Sequence, residues 1–95
     1  MKNVAIIGGG ASGLCCADEI LFLAEKAKKD IRVTVFETGE RVGKKLLATG
    51  NGRCNLTNLG ADESFYCATA ASFVASAFSA FSPKSTVDFF SRLGL

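Results

Sequence analysis

The run of three glycines at positions 8–10 constrains the fold most, because of what lies on either side of it. Residues 3–7, NVAII, come directly before it and form a short apolar run with β-branched side chains, as in a buried parallel strand. Residues 11–29 follow it with apolar side chains at helical spacing: Leu14, Ala17, Ile20, Leu21 and Ala24. The sequence therefore predicts a strand, a tight turn and a long helix.

A second strand is predicted over residues 31–37, IRVTVFE, which are rich in β-branched side chains. A strand, a long crossover helix and a second strand make a βαβ unit, whose two strands run parallel. The predicted fold class is therefore α/β, with the N-terminal βαβ part of a Rossmann-like domain. A polar loop and two helices follow it.

The glycine turn matches the phosphate-binding pattern G-x-G-x-x-G through Gly8, Gly10 and Gly13. We expect Gly8 to permit the turn out of the strand, Gly10 to let a pyrophosphate approach the backbone, and Gly13 to let the helix pack closely on the sheet. The free N–H groups from Ala11 to Gly13 would point at the phosphates, and Ser12 adds a hydroxyl donor.

Glu37 ends the second predicted strand, where an acidic residue of this fold accepts a hydrogen bond from a ribose 2′-OH. Its negative charge would repel a 2′-phosphate, so the predicted nucleotide is FAD or NAD and not NADP. The βαβ unit alone does not separate these two, because both present an ADP half to it. The alternative is an ordinary α/β turn followed by a glutamate that ends a strand by chance.

Residues 48–58, ATGNGRCNLTN, form a polar loop interrupted by glycines. Such a run is either a solvated connection or a backbone surface shaped around a bound molecule. Gly50 and Gly52 allow backbone conformations that other residues avoid, while Asn51, Arg53 and Asn55 supply donors and acceptors. In a purely structural interpretation, the asparagines satisfy the backbone of their own loop.

Residues 37–58, ETGERVGKKLLATGNGRCNLTN, resemble the N-terminal segment of the HI0933-like family of bacterial FAD-dependent oxidoreductases. The opening VAIIGGGASGL and the later run FSPKSTVDFFSRLGL are similar to the same family, so the resemblance covers nearly the whole chain. The run from Arg41 to Asn58 is its most specific part, since the glycine motif occurs in many families.

The resemblance implies that FAD is the cofactor and that the second loop lies along it. Arg41 would lie near the adenosine ribose or the pyrophosphate, and the backbone from Thr49 to Asn55 would pass the pyrophosphate and the flavin. Either Lys44 or Lys45 would face phosphate. The candidate cofactor-binding residues are Gly8, Gly10, Ala11, Ser12, Gly13, Glu37, Thr38, Arg41, Lys44, Thr49, Gly50, Asn51, Gly52, Arg53, Cys54 and Asn55.

Members of the family have several hundred residues, including a substrate domain and a C-terminal segment that completes the FAD site. We therefore expect residues 1–95 to be a partial FAD-binding domain, the N-terminal fragment of a larger flavoprotein. The full-length protein would be an oxidoreductase that also meets NAD(P)H or a small-molecule substrate. The chain alone would not be catalytically competent, and no residue is assigned as a catalytic acid or base.

Two other interpretations belong to different classes. The first is a small nucleotide-binding or interaction module without catalysis. The second is an inactive truncated product.

The bulk properties limit the partners and the location. A formal net charge of +2, from 11 basic and 9 acidic residues, is too balanced to indicate nucleic acid or an anionic membrane. The four cysteines, with no histidine present, have neither zinc-site nor disulfide-framework spacing, so a reducing cytoplasmic location fits best. Cys54 has no second cysteine within five positions, and we expect a small, half-buried side chain there.

The last third of the sequence predicts two helices. Residues 65–82 carry no charge, but Thr69, Ser72, Ser76 and Ser79 recur at helical steps, which indicates an amphipathic helix and not a membrane span. In the final run, we expect Ser82 to be the N-cap, Pro83 the first helical residue and Gly94 the C-terminal stop.

Overall fold

The structure is a computed structural model, and it describes residues 1–52, 54–67 and 69–95. The chain divides into two compact units, Met1–Cys54 and Asn55–Leu95. In the ranges just given, no helix is long and apolar enough to cross a membrane.

The first unit contains the predicted βαβ arrangement. Strand β1 is Lys2–Ile7, helix α1 is Ala11–Lys26 and strand β2 is Ile31–Phe36. The two strands pair in parallel, with Lys2 opposite Ile31 and Ile7 opposite Phe36. The predicted α/β class and the order of these elements are confirmed. Helix α1 ends three residues earlier than predicted, because Lys28 adopts a left-handed conformation with φ of 53°.

Helix α1 packs on one face of this two-stranded sheet. The inward side chains of the strands, Val4, Ile6, Val33 and Val35 among them, are half-buried, and Ala24 is the only buried apolar side chain among the described residues. Leu21, on the apolar stripe of helix α1, is 48% exposed. On the opposite face of the sheet, Ile7 is 83% and Phe36 54% exposed.

A loop at residues 37–43, called the second loop from here on, and a short helix complete the first unit. Residues 37–43 lead into helix α2, Lys44–Ala48. Gly43 precedes this helix in a left-handed conformation, with φ of 67°. A 3₁₀ segment, Thr49–Gly52, follows, in which Gly50 and Asn51 are both left-handed.

The second unit contains a 3₁₀ turn, Glu63–Phe65, and two helices, α3 over Ala71–Ala80 and α4 over Pro83–Arg92. Helix α3 is shorter than the uncharged run suggests, and Thr69 lies in a turn before it. Tyr66 and Phe78 pack edge to face with ring centroids 6.1 Å apart. Helix α4 has the predicted ends, with Pro83 as its first residue.

Ser82 caps helix α4, because its hydroxyl accepts a hydrogen bond from the Ser85 N–H at 3.1 Å. We expect Ser82→Ala to lower the free energy of unfolding of this unit by about 1 kcal/mol, the usual cost of a lost N-cap. Ser91→Ala, an exposed change in the last turn of the same helix, is the matched control and should stay within about 0.5 kcal/mol of wild type. Thermal unfolding of the three proteins tests this, and equal midpoints for the two variants would contradict the capping role.

Candidate cofactor-binding site

The glycine turn has the backbone geometry of a phosphate-binding turn. Gly8 leaves strand β1 with φ of +102°, a conformation that favours glycine. A Cβ atom at Gly13 would overlap the carbonyl oxygen of Gly8, so helix α1 lies directly against the end of the strand. A Cβ atom at Gly10 would meet no atom within 4 Å, which leaves the backbone open to a ligand.

The N-terminus of helix α1 is suited to an anion. Gly10 is its N-cap residue, and no side chain caps the helix there. The first turn contains no acidic residue, so the amides of Ala11, Ser12 and Gly13 face no competing negative charge on their own turn.

Glu37 lies just after strand β2 and reaches back to the glycine turn. Its Oε1 accepts a hydrogen bond from the Gly9 N–H at 2.9 Å, and its Oε2 accepts one from the Gly39 N–H at 2.7 Å. The Gly39 amide, and after it the Gly9 amide, hold the pKa of this exposed carboxyl below its ordinary value. Glu37 is therefore negatively charged at neutral pH.

Gly9 lies between the two loops, and sequence reasoning missed it. It is buried, and its carbonyl oxygen accepts a hydrogen bond of 2.6 Å from the Gly43 N–H. A Cβ atom here would lie 2.5 Å from Cγ1 of Val42, so a side chain at position 9 would displace Val42. The signal in the sequence was that a glycine also occupies the x position between the motif glycines Gly8 and Gly10.

These elements surround one cleft of about 580 Å³. Six predicted residues line it: Gly10, Ala11, Glu37, Arg41, Lys44 and Thr49. Four further residues line it: Lys45, named above as the alternative to Lys44, and three residues that were not considered, Gly9, Gly39 and Leu46. Three basic residues thus share the wall with one acidic residue, and both Lys44 and Lys45 line the cleft.

Other predicted residues lie elsewhere in the first unit. Gly8 and Gly13 shape the turn, while Ser12, Thr38, Gly50, Asn51 and Cys54 are not on the wall of this cleft. The Thr49 hydroxyl donates to the Leu46 carbonyl oxygen at 2.8 Å, which ends helix α2. Cys54 is half-buried, as predicted.

Two predicted residues are not among the described residues of the first unit. Arg53 lies outside the described residues. Asn55 begins the second unit, where it lines an open groove together with Leu56, Thr57, Asn58, Leu59 and Val87.

The residues that the structure describes offer no metal site beside the cleft. Across the part of the chain that the structure describes, no group of three or more His, Cys, Asp or Glu side chains could hold a metal ion. The residues that do converge suit a nucleotide with a pyrophosphate: an open glycine backbone, uncapped helix amides, basic side chains and one carboxylate. The cleft therefore has the features of a dinucleotide-binding site.

The fold and this cleft define a Rossmann-type dinucleotide-binding domain. Residues 2–95 match the family model described as the HI0933-like protein Rossmann domain, and the chain belongs to this family. Its homologues are FAD-binding flavoproteins, so the chain is a Rossmann-type FAD-binding domain of flavin-dependent oxidoreductase homologues.

Three curated relatives illustrate the family. The chain is 43% identical to the 3-dehydro-bile acid delta(4,6)-reductase of Clostridium scindens over 95 residues, which are all of this chain and 22% of that protein. It is 44% identical to the ribosomal RNA dihydrouridine synthase of Haemophilus influenzae over 72 residues, which are 76% of this chain and 16% of that protein. It is 48% identical to the mitochondrial electron transfer flavoprotein-ubiquinone oxidoreductase of Dictyostelium discoideum over 46 residues, which are 48% of this chain and 8% of that protein.

The chain thus spans about a fifth or less of the length of these relatives. No solved structure matches the chain significantly.

Proposed function

We propose that this domain binds the ADP half of FAD in the cleft described above, as the N-terminal part of a flavin-dependent oxidoreductase. The observation that carries the proposal is the convergence of the glycine turn, the N-terminus of helix α1, Glu37 and three basic side chains on a single cleft.

Each group has a separate task in this proposal. The amides of Ala11 and Ser12 donate to the pyrophosphate across the open backbone at Gly10, and Arg41 adds a positive charge at the same wall. Glu37 accepts hydrogen bonds from the ribose hydroxyls, and its charge disfavours a 2′-phosphate.

The bound flavin would supply hydride transfer, while the residues of this domain bind and orient the cofactor. Because the cleft would bind the ADP half of FAD, residues outside the cleft would select the substrate. NAD(P)H or a small-molecule substrate as a partner of the whole protein, and a cytoplasmic location, stay predictions. So does the absence of a nucleic-acid partner, although one of the relatives is named for acting on ribosomal RNA.

The test is a titration of the protein with ADP and with FAD, followed by two-dimensional amide NMR. We expect both ligands to shift the amide signals of Gly10, Ala11 and Ser12, and desalted protein incubated with FAD to keep the flavin absorbance. Arg41→Gln should weaken ADP binding about tenfold, the value of one lost charged contact of about 1.4 kcal/mol.

Arg32→Gln is the matched control, because it removes the same charge from an exposed residue of strand β2 that does not line the cleft. It should leave ADP affinity unchanged. The proposal is wrong if ADP leaves the amides of the glycine turn unshifted, or if the two arginine variants lose affinity equally.

A further inference from the structure

The Glu37 carboxylate is already hydrogen-bonded on both oxygens by the chain's own backbone. One partner, Gly9, lies 28 positions earlier at the turn, and the other, Gly39, lies two positions later in the second loop. A residue that served only the ribose would need neither bond.

The bond to Gly9 bears directly on the shape of the turn. Gly9 is buried, its N–H is held by Glu37, and its carbonyl oxygen is held by the Gly43 N–H at 2.6 Å. Both polar groups of this residue are therefore satisfied by the second loop. Gly10, whose backbone is open to the cleft, is the next residue, so the two hydrogen bonds of Gly9 also fix the direction of the Gly10 backbone.

Holding the turn and binding a ribose are compatible for one carboxylate. An ionised carboxylate accepts about four hydrogen bonds, and the two backbone amides take two of them. Thr38 also lowers the pKa of this carboxyl by hydrogen bonding, less strongly than the two glycine amides, so a ligand hydroxyl would share the remaining lone pairs with Thr38. The other charged groups on the cleft wall are Arg41, Lys44 and Lys45, and within the described residues none of them forms an ion pair with Glu37.

We propose that Glu37 is a positioning residue for the glycine turn: by fixing Gly9 it aims the Gly10 backbone and the first amides of helix α1 at the phosphates. Its effect on a ligand then does not require a ribose. The inference rests on the proposed function for the identity of the ligand, and on the hydrogen bonds alone for the tie between Glu37 and Gly9.

Inorganic pyrophosphate distinguishes positioning from ribose contact, because it has no ribose. Glu37→Gln removes a negative charge from the cleft, so electrostatics alone would strengthen the binding of an anion. Positioning predicts the opposite sign, a loss of about tenfold. Gly9 and Gly39 donate to different oxygens of Glu37, whereas a glutamine has one acceptor oxygen, and its NH2 group would face one of these two N–H groups.

Glu37→Asp separates reach from charge, since it keeps the charge but shortens the side chain by one methylene. We expect it to weaken pyrophosphate binding as well. Glu40→Gln is the matched control, because it removes the same charge from an exposed residue of the same loop that does not line the cleft. It should bind pyrophosphate as tightly as wild type or more tightly.

A second measurement needs no ligand. When the pH is lowered, the Gly9 amide proton should shift with the titration of Glu37, at a midpoint below the ordinary pKa of a glutamate. In the Glu37→Gln variant, the Gly9 signal should not follow that titration.

The inference is overturned if the Gly9 amide of the wild type ignores the Glu37 titration, or if Glu37→Gln binds pyrophosphate at least as tightly as wild type. A wild-type protein that binds neither ADP nor pyrophosphate contradicts the proposed function. In that case the ligand-free titration of Gly9 still decides whether Glu37 holds the turn.

Discussion

Gly13→Ala should be the most destabilising of the substitutions considered for the first unit. The added Cβ would overlap the Gly8 carbonyl oxygen and approach Cγ2 of Ile6 to 3.4 Å. The first obstacle is a backbone atom, so helix α1 must move away from strand β1 to make room. We expect a loss of about 3 kcal/mol in the free energy of unfolding, the upper part of the usual range for overpacking.

Chemical denaturation followed by circular dichroism measures this loss. The loss is large, because a whole domain is stable by only about 5–15 kcal/mol. Gly10→Ala is the control, since its Cβ would meet no atom within 4 Å and its φ of −84° and ψ of −167° suit alanine. Equal unfolding midpoints for the two variants would show that the close packing at Gly13 does not matter.

Gly10→Ala should have the reverse profile, with an intact fold and a nearly complete loss of cofactor binding. In the proposed complex, the pyrophosphate would occupy the open space at Gly10, so a methyl group there would keep the phosphates from the amides of helix α1. Losing two or more charged hydrogen bonds predicts a decrease in ADP and FAD affinity of about 100-fold. Isothermal titration calorimetry with ADP measures it.

Gly60→Ala provides the matched control for binding. It makes the same chemical change at a glycine of the second unit, where a Cβ would have an ordinary contact 3.4 Å from the Asn58 side-chain oxygen. It should leave ADP affinity unchanged. If Gly10→Ala binds ADP as tightly as Gly60→Ala does, the phosphates do not lie against Gly10.

Much of the fold could be predicted because its signals are local. The apolar run before the glycines, the helical spacing after them and the β-branched second strand gave the order of β1, α1 and β2. The ends of helix α4 were also local, since Ser82, Pro83 and Gly94 each act within one helical turn. The boundary of helix α1 was missed because the left-handed Lys28 carries no residue-type signal.

The parts of the site that the sequence did not reveal depend on contacts between distant residues. Val42 packing on Gly9 and the bond from Gly43 to Gly9 arise only when the second loop folds back onto the turn. Gly39 and Leu46 also line the cleft, and no pattern in the sequence marked either of them. A pattern read along the chain identifies the two loops separately, but it does not report which residues of one touch the other.

The hydrogen bond between Gly9 and Glu37 makes the cofactor part of the folding equilibrium. Its two partners are 28 positions apart, so the cleft exists only when β1, α1 and β2 have assembled. A ligand that binds only this assembled form stabilises it by mass action, by about 2.7 kcal/mol at a concentration 100 times the dissociation constant. The supply of flavin would then set how much of the domain is folded, in addition to how much of it carries cofactor.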